Sequence, residues 1–354
     1  MVEIRLIRGP LDDERLAWIA RLYGRHDGKY LSLEFVRHQF VENPFGWSLH
    51  VFAIERDRAV GHCGVIPVIS RRGQEILLAG HVEGFFLEEE FRSVVTEEGR
   101  GRPLAVEMLS ELYRFAQGQG VTMLHGMASE ELGVLHRLAG CCAFQVHAPR
   151  YLLVTDPGAF GAGQSRLRSA GLAALALGQR VVEEAVYLVA RVITTSWTGP
   201  AVSESVAEDR DLGGAPGAHG KWTIEAIDSW EWLAATGLLR VIRVAGRHGC
   251  RALVRWPCNG DTLQILAWRP APPGGGLLAS LLLVGAAVRL ARQNRAACVR
   301  FQEWDAPASA GLVNACRIMG FVRRSGTMTL YVCSPSHDLD VDGIALTPFF
   351  YTTY

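Results

Sequence analysis

Apolar residues recur along this chain at two spacings, and the alternation between them sorts the sequence into helices and strands. Residues 4–7 read as a short opening strand. Leu16, Ile19, Ala20 and Tyr23 share one helical face over 12–23, with acidic residues in the first turn, where the helix dipole favours them. A second helix is expected over 33–41, followed by a turn at Asn43-Pro44-Phe45-Gly46. Residues 51–54 and 59–68 are strand-like and joined through Arg56-Asp57-Arg58 as a hairpin, and 76–87 is extended again. Leu104, Met108, Leu112 and Phe115 line one face of a helix over 103–118. A strand over 121–127, a short helix ending at Gly140 and a strand over 151–154 complete a first domain, 1–155.

The next stretch, 156–218, changes character. Residues 164–192 are helical in spacing, and 201–220 is a linker rich in Gly, Ala, Ser, Asp and Glu. Glu183 and Glu184 beside Arg180 and Arg191 make the helix too mixed in charge for a membrane-surface anchor, and packing on a domain is the preferred expectation. Residues 219–354 then repeat the plan of the first half. Strands fall at 239–244, 250–256 and 262–268. A glycine turn at Gly274–Gly276 enters an apolar helix over 277–292, and strand, helix and strand follow at 297–301, 309–319 and 328–332. The order of elements marks an internal structural repeat. The expected class is α/β (α+β): two tandem domains, each a mixed, mostly antiparallel sheet flanked by helices.

Composition narrows the function classes. With 354 residues, 49% hydrophobic and 20% charged, the chain is globular and long enough for two domains. Its formal net charge of zero gives no global pull toward nucleic acid or anionic lipid. Lys29 and Lys221 are the only lysines, which reads as genome composition. None of the eight cysteines forms a CxxC pair, so reduced, buried thiols in a cytoplasmic protein are expected rather than a disulfide frame or zinc site. The eleven histidines show no HxxxH or HxH spacing, and no metal is expected. Met1-Val2-Glu3-Ile4-Arg5 lacks the apolar core of a signal peptide. The longest weakly polar run, 170–178, falls far short of the ~20 residues of a membrane span.

Candidate chemistry concentrates in 81–140. His81-Val82-Glu83-Gly84-Phe85-Phe86-Leu87 is followed by acidic residues and Arg92. Gly99-Arg100-Gly101-Arg102-Pro103-Leu104-Ala105 then turns into a helix, and Val121–Met127 and a helix through His136 to Gly140 follow. This succession resembles the GNAT superfamily of acyl-CoA-dependent acyltransferases. The resemblance implies that the turn and helix start hold the CoA pyrophosphate, through outward-pointing amides and the helix dipole. The family pattern is Arg or Gln, two residues, Gly, one residue, then Gly or Ala. Here Arg100, Pro103 and Ala105 occupy those three positions, with proline in place of glycine. Proline suits a first helical position but removes one amide. Arg92, Gly101, Arg102 and Leu104 complete the expected cofactor contacts, and the backbone of Phe85, Phe86 and Leu87 is expected to meet the thioester carbonyl.

The resemblance assigns Glu83 as the base that takes a proton from an acceptor amine, with His81 two residues away on the same strand face as the backup. His136 stands four residues before Gly140, where family members often carry the tyrosine that protonates the departing thiolate, and a histidine there can serve as acid. The family's phenylalanine after that glycine is displaced to Phe144. In the second half the matching position is Cys316, the strand over 262–267 has no carboxylate, and the glycine turn has only Arg269 nearby. A degenerate copy is expected. The tail 347–354 is aromatic to its end, and Tyr354 is a minor active-site candidate. Asn43-Pro44-Phe45-Gly46-Trp47-Ser48 and Gly61-His62-Cys63 are similar to superfamily members found with polysaccharide and secondary-metabolite genes.

The leading reading is an N-acyltransferase moving an acetyl or short acyl group from acetyl-CoA or another acyl-CoA to a small amine acceptor, such as an amino sugar or amino acid. Two alternatives stand beside it. A Fem-type aminoacyl transferase fits the tandem plan and the 164–192 helix but not the neutral charge. A catalytically inactive binding module fits the Gly-to-Pro change. The expected partner is a small molecule rather than nucleic acid, with homodimerisation left open.

Overall fold

The computed structural model describes residues 2–27, 32–72, 75–95, 101–128, 130–156, 177–178, 180–182, 184–185, 222–225, 239–244, 250–255, 262–270, 277–303, 306–334 and 344–346. Its strands are β1 (Glu3–Arg8), β2 (Leu49–Glu55), β3 (Arg58–Arg72), β4 (Glu75–Leu87), β5 (Met123–Met127), β6 (Cys142–His147), β7 (Arg150–Val154), β8 (Trp222–Glu225), β9 (Leu239–Val244), β10 (Cys250–Arg255), β11 (Thr262–Pro270), β12 (Cys298–Gln302), β13 (Val322–Arg324), β14 (Thr327–Cys333) and β15 (Ile344–Leu346). The helices are α1 (Asp13–Asp27), α2 (Leu33–Phe40), α3 (Leu104–Gly118), α4 (Glu130–Leu138), α5 (Leu277–Gln293) and α6 (Ala306–Ile318). The linker over 201–220, the glycine turn 274–276 and the tail 347–354 lie outside the described residues, as does most of 164–192. Among the described residues no helix is long and apolar enough to cross a membrane.

The chain divides into two compact units. In the first, the strand order is β1-β2-β3-β4-β5-β14-β6, with β8 added against β3 and β15 against β8. β1–β2, β2–β3, β3–β4, β3–β8 and β5–β14 are antiparallel, and β4–β5 and β8–β15 are parallel. Period-2 alternation gives this sheet two apolar faces. On one, Val51, Val60, Cys63, Val65 and Leu87 pack with Leu104, Met108, Leu109 and Leu112 of α3. On the other, Phe52, Ile54 and Ile66 pack with Leu16, Ile19 and Tyr23 of α1 and Val36 and Phe40 of α2. Buried Glu88, just past β4, ties α1 to this sheet through Arg25 at 2.9 Å and Arg58 at 3.0 Å.

The second unit carries the order β13-β7-β12-β11-β10-β9, with β11 and β12 parallel. Leu282, Leu283, Ala287 and Leu290 of α5, Leu312 and Cys316 of α6 and Met319 just past it cover Ile242, Val254, Leu263, Val299 and Tyr151. Each half thus repeats a meander, a parallel pair and the helix that connects it.

One strand in each half departs from the expectation. Residues 151–154, expected to close the first domain, lie in β7, which pairs with β12 and β13 of the second sheet. Residues 328–332, expected to close the second domain, lie in β14, which pairs with β5 of the first. The halves have exchanged equivalent strands. Both segments carry a short apolar run, Tyr151–Val154 and Leu330–Val332, so local pattern does not say which parallel strand each will join.

Candidate active site

The parallel pairing of β4 with β5 runs through Ala79–Met123, Gly80–Leu124 and His81–His125 and then stops. Beyond the His81–His125 rung β4 bulges. Gly84 and Phe85 stand opposite Cys63 alone, between the pairs Glu83–Gly64 and Phe86–His62. Gly84 has φ +66°, which side chains resist, and a Cβ there would sit 2.1 Å from the Tyr23 hydroxyl. A one-residue bulge reverses strand alternation, so Phe86 joins Tyr23 on the α1 face, ring centroids 4.2 Å apart, while Phe85 packs toward α3.

Glu83 projects just past the fork. His81 Nε2 lies 2.8 Å from Glu83 Oε2, with both side chains buried. An ionised carboxylate only accepts, so the imidazole donates. The His125 ring stands 5.3 Å from that of His81. Burial, then the neighbouring His81, holds its pKa well below that of a free imidazole. His125 belongs to none of the motifs in the sequence. Its one signal was a polar residue in an otherwise apolar strand.

His136 lies on the α3 side of the sheet. Its Nδ1 is 2.5 Å from the Tyr113 hydroxyl, and its ring stacks on Tyr331 of β14 at 5.2 Å and 19°. Gly133 makes room for Tyr331, whose hydroxyl would otherwise stand 1.6 Å from a Cβ. Burial lowers the His136 pKa to about 4, and burial with neighbouring Cys141 raises that of Tyr113. Both shifts keep the shared proton on the phenol oxygen. Tyr113 therefore donates to Nδ1, and the neutral ring carries its hydrogen on Nε2.

At the expected pyrophosphate turn, Arg100 lies outside the described residues. Gly101 has φ +79°, and Val95 bridges Pro103. The Leu104 amide donates to the Val94 carbonyl at 2.8 Å, and the Val106 amide to Pro103 at 2.9 Å. The Leu104 N–H is thus already engaged, and Pro103 has none. The Leu104 and Ala105 side chains are buried against the sheet. Arg92 folds back so that its Nε donates to the Leu87 carbonyl at 3.4 Å. The second unit repeats the fork without this chemistry: β11 and β12 pair through Ile265–Phe301, and β11 shifts register just beyond. Gln264 there accepts from Arg300, and Cys316 is buried with its thiol pKa pushed up.

Compared with known proteins, the chain matches no family model and no curated sequence. Its fold does match. It is similar to a tandem GNAT protein from the clavulanic acid biosynthesis pathway, with a TM-score of 0.51 and 10% identity over 94% of this chain and 98% of that one. The chain has a tandem GNAT fold. A conserved protein of unknown function from Enterococcus faecalis V583 (TM-score 0.50, 10% identity, 94% and 72% covered) shares this fold. So does the Saccharomyces cerevisiae N-myristoyltransferase (TM-score 0.50, 8% identity, 93% and 79% covered).

The histidines of this tandem GNAT fold make it sensitive to acid. Burial lowers His62 to about 3 and His136 to about 4, and places His50 and His125 well below the free value. Each is a base whose folded pKa lies below its unfolded value of ~6.5, so unfolding takes up protons below that pH. Their stabilisation is complete above pH ~6.5 and is lost as pH falls toward 4 for His136 and 3 for His62. His136 alone corresponds to roughly 3 kcal/mol. Urea midpoints at pH 7.5 and pH 5 are expected to differ clearly, and equal midpoints would contradict the assignment.

Proposed function

We propose that the protein is an acyl-CoA-dependent N-acyltransferase acting on a small primary amine, with its chemistry in the first unit. The observation that carries this reading is the buried Glu83–His81 pair placed where β4 and β5 part. The tandem GNAT protein that shares the fold supports it.

A protonated amine has no lone pair for attack, so the Glu83 carboxylate takes one proton from the bound ammonium. His81 holds the acceptor oxygen in place. The neutral amine then attacks the thioester carbon, and negative charge grows on the carbonyl oxygen, which meets N–H groups of the Phe85–Leu87 strand edge. When the C–S bond breaks, the second N–H proton of the tetrahedral adduct neutralises the departing thiolate. A neutral His136 is not an imidazolium acid. Its Nε2–H instead donates a hydrogen bond to the sulfur, backed by Tyr113. A thiol with a pKa near ~8.5 is a sufficient leaving group for that arrangement.

The engaged Leu104 amide leaves Gly101, Arg102 and Ala105 of the described turn to hold the pyrophosphate, with Arg92 and Arg100 supplying charge. Titration of acetyl-CoA into the purified protein tests this. Micromolar binding is expected, weakened at least tenfold by Arg100→Glu. Absence of binding by acetyl-CoA and by longer acyl-CoAs would turn the assignment toward an inactive binding module.

A further inference from the structure

The exchanged strand β14 ends beside a cysteine from the first half of the chain. β14 and β6 are neighbours in the first sheet. Between them Gln145 Nε2 donates to Thr329 Oγ1 at 3.1 Å, and the Ala148 amide donates to the Gly326 carbonyl at 2.8 Å. The numbers rise along one strand by the step they fall along the other, so the pair is antiparallel and keeps one register. Continued four residues toward the start of β6, that register sets Cys141 opposite Cys333, the last residue of β14. Both face α3: Cys141 is buried in that core cluster, and Cys333, half-buried, packs against it. Cys142, the next residue, alternates to the other face and is exposed.

The second unit has the same arrangement without sulfur. Its matching positions are Phe321, which follows the helix-ending Gly320 as Cys141 follows Gly140, and Leu153 of β7. They stand one rung past the antiparallel pair Val322–Leu152, and both are core residues. An apolar facing pair in one unit is thus a pair of free thiols in the other. Residues directly opposite in an antiparallel pair have Cα atoms ~4.5–5.5 Å apart, inside the ~4.4–6.8 Å that a disulfide spans. The backbone is therefore already placed for a bond.

We propose that Cys141 and Cys333 form a reversible disulfide latch, closed by glutathione disulfide, that secures the exchanged strand β14 to β6. Cys333 is the more accessible of the two and reacts first. Its hydrogen bond with Cys141 lowers its pKa, whereas the same bond, then burial, raises that of Cys141. The Cys333 thiolate attacks one sulfur of glutathione disulfide and expels a glutathione thiolate. Cys141, as thiolate, then attacks the Cys333 sulfur of the mixed disulfide and expels the second. The two protein thiols lose two electrons and two protons, and the glutathione disulfide takes them up as two thiols. The bond closes a loop of roughly 190 residues, so it removes much chain entropy from the unfolded state. It also holds Tyr331, two residues back on the same strand face, in place over His136. The latch does not depend on the acyltransferase reading.

The test incubates the full-length protein with glutathione disulfide or with dithiothreitol, digests it without reduction and maps the peptides by mass spectrometry. A linked pair of peptides carrying Cys141 and Cys333 is expected after glutathione disulfide and not after dithiothreitol. Cys142→Ser should keep that pair. Cys141→Ser should lose it and accumulate Cys333 as the mixed disulfide with glutathione. The urea midpoint of the cross-linked parent protein is expected to rise by about 1 M and to fall back on reduction. No internal bond, a bond through Cys142 or Cys63 instead, a glutathione adduct that persists on Cys333 of the parent, or an unchanged midpoint after complete cross-linking would overturn the proposal. The parent map needs no variant, so a Cys141→Ser chain that fails to fold leaves the test intact.

Discussion

Replacing Glu83 by glutamine is expected to lower kcat at least a hundredfold and leave acetyl-CoA affinity within twofold. The two side chains are nearly the same size, so the bulge and its packing against Tyr23 and Phe86 are kept. The amide oxygen still accepts from His81, whose ring nitrogen lies 2.8 Å from the carboxylate. Only the capacity to take up a proton is lost, and positioned bases contribute roughly 10²–10⁴ in rate. His81→Asn should cost less, because it loosens the carboxylate without removing it. The split between kcat and affinity is the informative part. An enzyme that turned over within threefold of the parent would show that Glu83 is a structural carboxylate and that the amine is deprotonated elsewhere.

A chain ended after residue 155 is expected to be insoluble or unfolded, although the sequence reads as a complete domain to that point. Without β14, strand β5 becomes an open edge, and bare edges template aggregation. Buried Tyr331, which fills the space over Gly133 and stacks on His136, goes with it. Losing a packed aromatic of this kind costs about 3–5 kcal/mol by itself, which is comparable to the whole stability of many domains. In the same fragment β7 has lost β12, its partner in the second sheet. Co-expression of 156–354 should restore a soluble complex. A fragment 1–155 that stayed soluble and unfolded cooperatively would show that the strand exchange is dispensable.

The elements themselves were legible because each is written in a short-range period. Leu104, Met108, Leu112 and Phe115 mark α3 without ambiguity, and the strands β3, β4, β11 and β12 fall within a few residues of their expected bounds. What pairs with what is a different question. β7 and β14 each carry a short apolar run, and their partners lie far away in sequence, so the exchange could not be read from either. β6 was not anticipated as a strand at all, since Cys142-Ala143-Phe144 reads equally well as the end of a helix. At the site, the expected base and its neighbour do come together, because residues two apart on a strand share a face. Engagement of the Leu104 amide by Val94 was invisible, because that bond is made by backbone alone. Tyr113, Tyr331, His50 and His125 carried no motif, and His62 stood out only as part of Gly61-His62-Cys63. Only the number of imidazoles in apolar strands could have pointed to a polar seam.

The exchanged strands also set a clock on how the protein is made. Roughly 200 residues separate the end of β5 from the start of β14. At ~5–20 residues per second, a ribosome needs about 10–40 s to supply them. Throughout that interval the nascent first half carries an uncovered edge beside its nearly finished helices. β7, made early, waits for β12 in the same way. Such a chain gains little from folding half by half as it emerges. Its yield should depend on elongation speed and on whatever shields the β5 edge until the last strand arrives.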